Sequence, residues 1–67
     1  MTVFVNDQVQ DLKTQFTLNA LLAQLSLIDQ KGIAVAVNNK VIPKNTWNSH
    51  LLSEQDKVTI IRASQGG

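Results

Sequence analysis

The first residues of the chain carry a pattern typical of a β-hairpin. Val3-Phe4-Val5 is rich in β-branched and aromatic side chains, and Asn6-Asp7-Gln8 supplies turn-forming residues directly after it. Apolar positions then resume, so residues 2–12 are predicted to form two antiparallel strands. Because side chains alternate across a strand, the two valines are expected on one face and Phe4 on the other.

The next apolar positions have the period of a helix. Four leucines recur at i, i+3, i+4 and i+7, which places them on one helical stripe: Leu18, Leu21, Leu22 and Leu25. Thr17 precedes this stripe, and its hydroxyl is a predicted N-cap. The predicted helix covers residues 18–26 and ends before Gly32, which is free to take a positive φ.

Three further strands are predicted in the second half of the chain. Residues 33–37 are apolar on both faces, which indicates a strand that is covered on both sides or packed under a helix. Val41-Ile42 is a short strand that Pro43 ends or confines to a sheet edge. Residues 44–52 are expected to be irregular or briefly helical, and residues 57–62 form the last strand.

The predicted order is therefore β-β-α-β-β-β. The compact arrangement of these elements is one mixed sheet folded around one helix, which is an α+β fold. Residues 1–63 are expected to form this single domain. Residues 64–67 lack any apolar pattern and are expected to form a flexible tail.

Composition excludes several classes of protein. The 67 residues include no cysteine, so neither disulfides nor cysteine-based zinc sites stabilise the fold, and His50 alone makes no metal site. A formal net charge of +1 gives little attraction for nucleic acid or an anionic membrane. The chain has neither the pattern of a signal peptide nor an apolar run near the ~20 residues that span a bilayer. We expect a soluble cytoplasmic domain.

Candidate catalytic chemistry is sparse. One histidine, no cysteine and scattered carboxylates provide no nucleophile–base pair, and no glycine-rich phosphate loop is present. A structural role is therefore expected for His50, and core packing for the leucine stripe. We expect no catalytic residue, no metal and no bound cofactor.

The terminal Gly66-Gly67 is the one feature that suggests chemistry. Without a Cβ on either residue, such a tail is thin enough to enter a channel that excludes larger side chains. Its carboxylate is a poor acyl donor until transfer of AMP from ATP converts it to a mixed anhydride. Nothing in the sequence predicts an ATP site, so a separate adenylating enzyme would have to activate it. A frayed end is the alternative, but the strand–helix order favours a functional tail.

The sequence resembles the ThiS family of bacterial sulfur carriers, which are ubiquitin-like β-grasp proteins of thiamin biosynthesis. The resemblance covers nearly the whole chain. It is carried by the opening Phe4-Val5-Asn6-Asp7-Gln8, by Leu21-Leu22-Ala23-Gln24-Leu25 in the helix, by residues 35–47, by the turn at Asp56, and by the terminal Gly66-Gly67. Residues 35–47 are similar to the pattern V-x-V-N-x-x-x-V-P-R-x-x-W.

The resemblance implies a β-grasp fold and a cycle of reactions on Gly67. A ThiF-like enzyme would use ATP to adenylate the carboxylate of Gly67. A sulfur donor, such as a cysteine desulfurase or a rhodanese-like protein, would convert it to a thiocarboxylate. A ThiG-like thiazole synthase would then take the sulfur for the thiazole ring, and Gln65, Gly66 and Gly67 would enter the partners' active sites.

Two departures from the family pattern concern contacts rather than the terminal chemistry. Lys44 stands where the family often has arginine, which keeps the charge but loses the bidentate geometry of a guanidinium. Ser64-Gln65 precede the glycines where more apolar pairs are common. A tail that is more polar than those common in the family would make different contacts with a partner enzyme.

The alternation of side chains also predicts a docking surface. If Val58 and Ile60 face the helix, Thr59 and Ile61 face away from it, as does Phe4. In a β-grasp fold the first and last strands are neighbours, so Phe4 and Ile61 are expected to form an outward apolar patch near the root of the tail. The alternative is that they are singly exposed apolar residues, which are normal on protein surfaces.

Three other functions remain open at this point. The small subunit of molybdopterin synthase uses the same thiocarboxylate, but such proteins often carry a Pro-Pro step before the glycines, and residues 61–65 contain no proline. A protein-conjugating ubiquitin-like modifier would pass the activated terminus to a lysine amine. A non-covalent β-grasp interaction module would not need Gly66-Gly67 at all.

Overall fold

A computed structural model describes residues 1–28 and 31–62, which contain five strands and one α-helix. The elements are β1 (Thr2–Val5), β2 (Gln8–Asp11), α1 (Leu18–Gln24), β3 (Ile33–Val37), β4 (Lys40–Val41) and β5 (Lys57–Arg62). This confirms the predicted order, and a short 3₁₀ turn at Lys44–Thr46 agrees with the irregular or briefly helical connection predicted for residues 44–52. The fourth strand lies one residue earlier than predicted. Ile42 still donates its amide to Val35 of β3 at 2.9 Å, but its carbonyl accepts the Trp47 indole and its side chain is buried in the core.

The strands form one mixed sheet in the order β2-β1-β5-β3-β4. Strands β1 and β5 are parallel, whereas the other neighbouring pairs are antiparallel. The last strand of the chain is therefore the central strand of the sheet. It lies beside the first strand, as the β-grasp expectation requires.

Two tight turns join the antiparallel pairs. In the β1–β2 turn, Asn6 and Asp7 have φ of 48° and 68°, and in the β3–β4 turn Asn38 and Asn39 have φ of 50° and 70°. Two successive positive φ angles are the geometry of a type I′ hairpin, whose twist matches that of the strands. Asn and Asp adopt this left-handed region more readily than most residues other than glycine. The turn predicted at Asn6-Asp7-Gln8 is thus confirmed at its first two residues, whereas Gln8 begins β2.

Helix α1 begins as predicted but ends two residues early. The Thr17 hydroxyl accepts a hydrogen bond from the Ala20 amide at 3.1 Å, which confirms the N-cap. At the other end, Ser26 has a φ of 61°, and its amide donates to Ala23 while the Leu27 amide donates to Leu22. These two bonds form a Schellman motif with serine in the position that glycine usually occupies. Gly32 does have a positive φ of 74°, but it lies at the entry to β3 rather than at the end of the helix.

The core lies between α1 and one face of the sheet. Leu18, Leu21 and Leu22 are fully buried, and they pack with the inward side chains of the strands. The inward side chains of the three central strands are Val3, Val5, Val35, Val37 and Val58, with Ile60 half-buried beside them. On β3 the opposite face is open at Ala34, so this strand is packed under the helix rather than covered on both sides.

Trp47 closes the core under the β4–β5 connection. Its side chain is buried, and its indole Nε1–H donates to the carbonyl of Ile42 at 2.9 Å. The bond satisfies the indole donor within the interior, as a buried tryptophan requires. Through Trp47, the connection between β4 and β5 is therefore anchored in the core. Within the described residues, no helix has the length and hydrophobicity needed to cross a bilayer.

Candidate functional site

The end of β5 is where the fold presents the tail. Residues 63–67 follow Arg62 directly in the sequence, so the positions predicted for Gln65, Gly66 and Gly67, and the predicted domain boundary after residue 63, lie outside the described residues. The structure describes the strand that precedes this segment. Strand β5 ends with Ile60, Ile61 and Arg62, and it is the central strand of the sheet.

The two sides of β5 are supported unequally. On one side β3 pairs with it along the whole length from Val58 to Arg62. On the other side β1 pairs only with Lys57 and Val58 before it turns away at Asn6. The last part of β5 therefore has a neighbouring strand on one side only.

Asn6 occupies the gap that β1 leaves. Its backbone amide donates to the carbonyl of Val58 at 2.9 Å, and its side-chain Oδ1 accepts the Ile60 amide at 2.9 Å. The side-chain Nδ2 lies 3.4 Å from the Ile60 carbonyl, which is a long and weaker bond. The asparagine side chain thus replaces one residue of the missing strand. Sequence reasoning placed Asn6 in the turn and in the opening family motif, but it did not predict this contact, because nothing local shows that β5 lies beside the turn.

The outer face of the sheet, on the side away from α1, carries exposed apolar side chains. Ile61 is 53% exposed and Val41 is 65% exposed, and Phe4 is half-buried on the same face. We call this surface the outer face and define it by Phe4, Val9, Ala34, Ala36, Val41, Thr59 and Ile61. Both residues of the predicted patch thus lie on the predicted face.

The register separates these two residues, however. Phe4 pairs with Lys57, four residues before Ile61 on the same strand. At about 3.3 Å per residue, this places them roughly 13 Å apart along the strand direction. The cross-strand neighbour of Phe4 is Val9, and that of Ile61 is Ala34. Phe4 and Ile61 therefore mark two ends of the outer face rather than a touching pair.

Two cations of β5 lie on opposite faces of the sheet. Lys57 pairs with Phe4 and alternates with the buried Val58, so it lies on the outer face, whereas Arg62 lines a groove with Ile60, Leu25 and Leu27 on the helix side.

Among the described residues, the one carboxyl with a displaced pKa lies away from the end of β5. Asp11, at the end of β2, accepts a hydrogen bond from the Lys13 ammonium at 3.2 Å, and this contact lowers the pKa of the exposed carboxyl from its usual value. This ion pair is exposed at the end of β2 and does not belong to the candidate site.

His50 has a structural contact in the described fold. Its backbone carbonyl accepts the amide of Leu18 at 2.8 Å, at the first residue of α1. Its neighbour Leu51 forms an isolated β-bridge with Thr17. The segment around His50 thereby holds the beginning of the helix. The site that the geometry offers is instead a β-strand end followed by a short terminal segment, flanked by an apolar face.

Comparisons with known proteins identify this arrangement. The fold is matched by the crystal structure of the thiamine biosynthesis protein ThiS from Geobacter metallireducens, with a TM-score of 0.82, 19% identity and full coverage of both chains. The NMR structure of a thiamine biosynthesis protein from the same organism gives a TM-score of 0.75 at 19% identity, covering all of this chain and 88% of that one. At this identity the two likenesses show the fold alone, and they confirm the expected β-grasp class: one helix packed on a mixed sheet.

The sequence itself gives the family. The model of the ThiS family matches residues 2–67, and the chain belongs to that family. The sulfur carrier protein ThiS of Escherichia coli K12 is 30% identical over 67 residues, which is the full length of both chains. A thiazole synthase of Paramagnetospirillum magneticum AMB-1 is 27% identical over all 67 residues of this chain, which span 20% of that protein.

Proposed function

We propose that this chain is the sulfur carrier of thiazole formation in thiamin biosynthesis, with the carboxylate of Gly67 as the group that carries sulfur. One observation carries the proposal: the ThiS family match runs from residue 2 to residue 67 and so includes the terminal Gly66-Gly67. The match to the E. coli carrier over the full length of both proteins supports it. The chain itself is a co-substrate and not an enzyme.

The chemistry follows from the carboxylate. Its oxygen attacks the α-phosphorus of ATP bound to a ThiF-like enzyme, pyrophosphate leaves, and an acyl adenylate forms. The terminal sulfur of a persulfide on a cysteine desulfurase or rhodanese-like donor then attacks the acyl carbon, and AMP leaves. A thiol reductant cleaves the resulting acyl disulfide to give the thiocarboxylate. ATP is used by the partner, and no cofactor is assigned to this chain.

Thiazole synthase is the proposed acceptor of the sulfur. The protein from Paramagnetospirillum magneticum that is named thiazole synthase contains a stretch similar to this whole chain, and this stretch makes up 20% of its length. Carrier and synthase sequences that occur in one polypeptide support a physical partnership between the two activities. The match favours the thiazole branch over the molybdopterin branch. We place these reactions in the cytoplasm, without a nucleic-acid or membrane partner.

The intact mass of the chain tests the carrier reaction. After incubation with ATP, a ThiF-like enzyme, a persulfide donor and a thiol reductant, we expect the mass to rise by the difference between one sulfur and one oxygen atom. A chain that lacks Gly67 should lose function in thiazole formation. An unmodified full-length chain, beside an adenylating enzyme that modifies its own carrier, would contradict the proposal.

The same reaction mixture separates the other functions. Transfer of the sulfur to thiazole by a ThiG-like synthase supports the thiamin branch, whereas transfer only to a molybdopterin precursor supports the molybdopterin branch. Covalent adducts of other proteins on a gel would indicate a conjugating modifier. Full function without Gly67 would indicate a non-covalent module.

We also propose that the outer face docks the adenylating enzyme. Ile61 is 53% exposed on the strand that leads to the tail, where an apolar contact would hold the terminus close to the partner's active site. Burial of the exposed half of this side chain contributes about 1 kcal/mol to binding. Lys57 is exposed beside Phe4 on this face and supplies a polar contact of the kind found at the rim of an interface.

Substitution Ile61→Asp tests the docking surface. We expect the KM of the adenylating enzyme for the carrier to rise about tenfold, because an apolar contact is replaced by a buried charge. Leu51→Asp is the matched control, since Leu51 is 71% exposed but lies outside the sheet. Unchanged adenylation kinetics in a folded Ile61→Asp chain would rule out docking at Ile61, and Phe4→Asp tests the other end of the face in the same way.

A further inference from the structure

Strand β5 ends in an asymmetric environment that one side chain completes. β3 pairs with β5 as far as Arg62, but β1 pairs only as far as Val58. Beyond that point, the side chain of Asn6 bonds to the backbone of Ile60. Its Oδ1 accepts the Ile60 amide at 2.9 Å, and its Nδ2 donates to the Ile60 carbonyl at 3.4 Å. At Val58, β5 thus lies between two strands, β1 and β3. At Ile60 it is held by β3 on one side and by the Asn6 side chain on the other, and these contacts set the direction in which the chain leaves the sheet.

We propose that Asn6 is a positioning residue for the terminal carboxylate. This inference rests on the proposed function, since it concerns how Gly67 reaches the adenylating site. Five residues separate Arg62 from the end of the chain. Fully extended, they span at most about 18 Å, so the reach of the carboxylate depends on where β5 ends and in which direction.

The physical reason is that a small change at the strand end is amplified at the terminus. If the Ile60 amide loses its partner, the residues of β5 beyond Val58 retain only their bonds to β3, and this end of the strand can separate from the hairpin. The carboxylate then samples a wider volume around the docked domain. Misplacement of reacting groups by about 1 Å costs up to a hundredfold in rate, even when binding is unchanged.

The chain contains a matched control for this effect. Asn38 begins the other type I′ turn with nearly the same φ, 50° against 48°, and its Oδ1 also accepts a backbone amide of β5, that of Lys57 at 3.0 Å. Asn38 therefore resembles Asn6 in residue type, backbone conformation and kind of contact. It differs in position, because Lys57 begins β5 and Ile60 lies near its end.

Glycine substitutions isolate the side-chain bonds. Asn6→Gly and Asn38→Gly both retain a residue suited to positive φ, and both remove the amide that contacts β5. The contacts are solvent-exposed, so water replaces the lost partners and the chain remains folded. Amide hydrogen exchange should accelerate at Ile60 in the first variant and at Lys57 in the second.

Adenylation kinetics then test the positioning role. In an assay with ATP and a ThiF-like enzyme, we expect the kcat of Asn6→Gly to be about tenfold below that of the wild-type chain. The KM for the carrier should stay unchanged, because the outer face is intact. Asn38→Gly should leave both constants unchanged. Asn6→Asp should recover part of the loss, since a carboxylate oxygen still accepts the Ile60 amide but cannot donate to the Ile60 carbonyl.

Three outcomes would overturn the inference. One is an unchanged kcat for Asn6→Gly although exchange at Ile60 is faster. The second is an equal loss of kcat in both glycine variants, which would show an effect of stability rather than of position. The third is a rise in KM alone, which would place Asn6 in the docking surface. Absence of adenylation in the wild-type chain would instead refute the proposed function, so the two failures are distinguishable.

Discussion

Asparagine side chains have two uses in this small domain. At Asn6 and Asn38 the backbone adopts positive φ in a hairpin turn, and the side chain bonds to the neighbouring strand β5. Asn38 extends this further, because its Nδ2 donates to Asp56, whose other oxygen accepts the amide of Ser53. A single residue type therefore forms the turn and connects it to the central strand.

At the residue scale, Thr17 is the side chain whose contribution is easiest to isolate. Its hydroxyl satisfies the Ala20 amide, one of the unpaired donors in the first turn of α1. We expect Thr17→Ala to lower the free energy of unfolding by about 1 kcal/mol, measured by urea denaturation. Thr14→Ala is the control, because Thr14 is exposed in the preceding loop. An equal effect of both substitutions would contradict the capping role.

At the scale of the elements, strands were predicted more accurately than the end of the helix. The bounds of β5 agree with the prediction because Lys57–Arg62 is rich in β-branched residues and follows the turn at Asp56. The helix ends early at Ser26, which takes a φ of 61° where a prediction from sequence expects glycine. Leu25 and Leu27 continue the apolar pattern past this point, and the pattern alone does not reveal that the backbone has left the helix.

The short helix depends on packing for its stability. It has seven residues, fewer than an isolated helix needs in water. Three of its leucines are fully buried against the sheet. Its beginning is held by hydrogen bonds from Leu18 to His50 and from Asn19 to Trp47, so the connection after β4 and the helix support each other.

At the scale of the whole molecule, one small core supports every element. Leu22 is fully buried, and we expect Leu22→Ala to cost about 2–5 kcal/mol, which is a large share of the stability of a domain this size. The midpoint of thermal or urea unfolding, followed by the fluorescence of Trp47, measures this cost. Leu51→Ala makes the same chemical change at a side chain that is 71% exposed, and its effect should stay within about 0.5 kcal/mol. Similar costs for the two variants would contradict the assigned core.

The outer face also belongs to this scale. Alternation along β1 and β5 predicted that Phe4 and Ile61 point away from the helix, and the structure places them so. It did not predict their separation, because the relative register of two parallel strands depends on the connection between them, which here contains most of the chain. The extent of the outer face over β3 and β4 likewise follows from the sheet order.

The sequence by itself determined the local structure and the family. Turn residues, alternation and helical periodicity act over a few neighbours, and they specified the elements, the inward side chains and the N-cap. The terminal Gly66-Gly67 and the motif around Trp47 indicated the ThiS family, which the family match confirms. Each of these features can be recognised from the sequence alone, without knowing which residues lie beside it in space.

Only the tertiary structure decided which groups meet. The parallel pairing of β1 with β5 brings Asn6 to Ile60 across a separation of 54 residues, and it places the last strand in the centre of the sheet. The physical reason is that such contacts depend on how the helix and sheet bury their apolar faces together. A turn residue therefore gains a second role that the local pattern of its own hairpin does not contain.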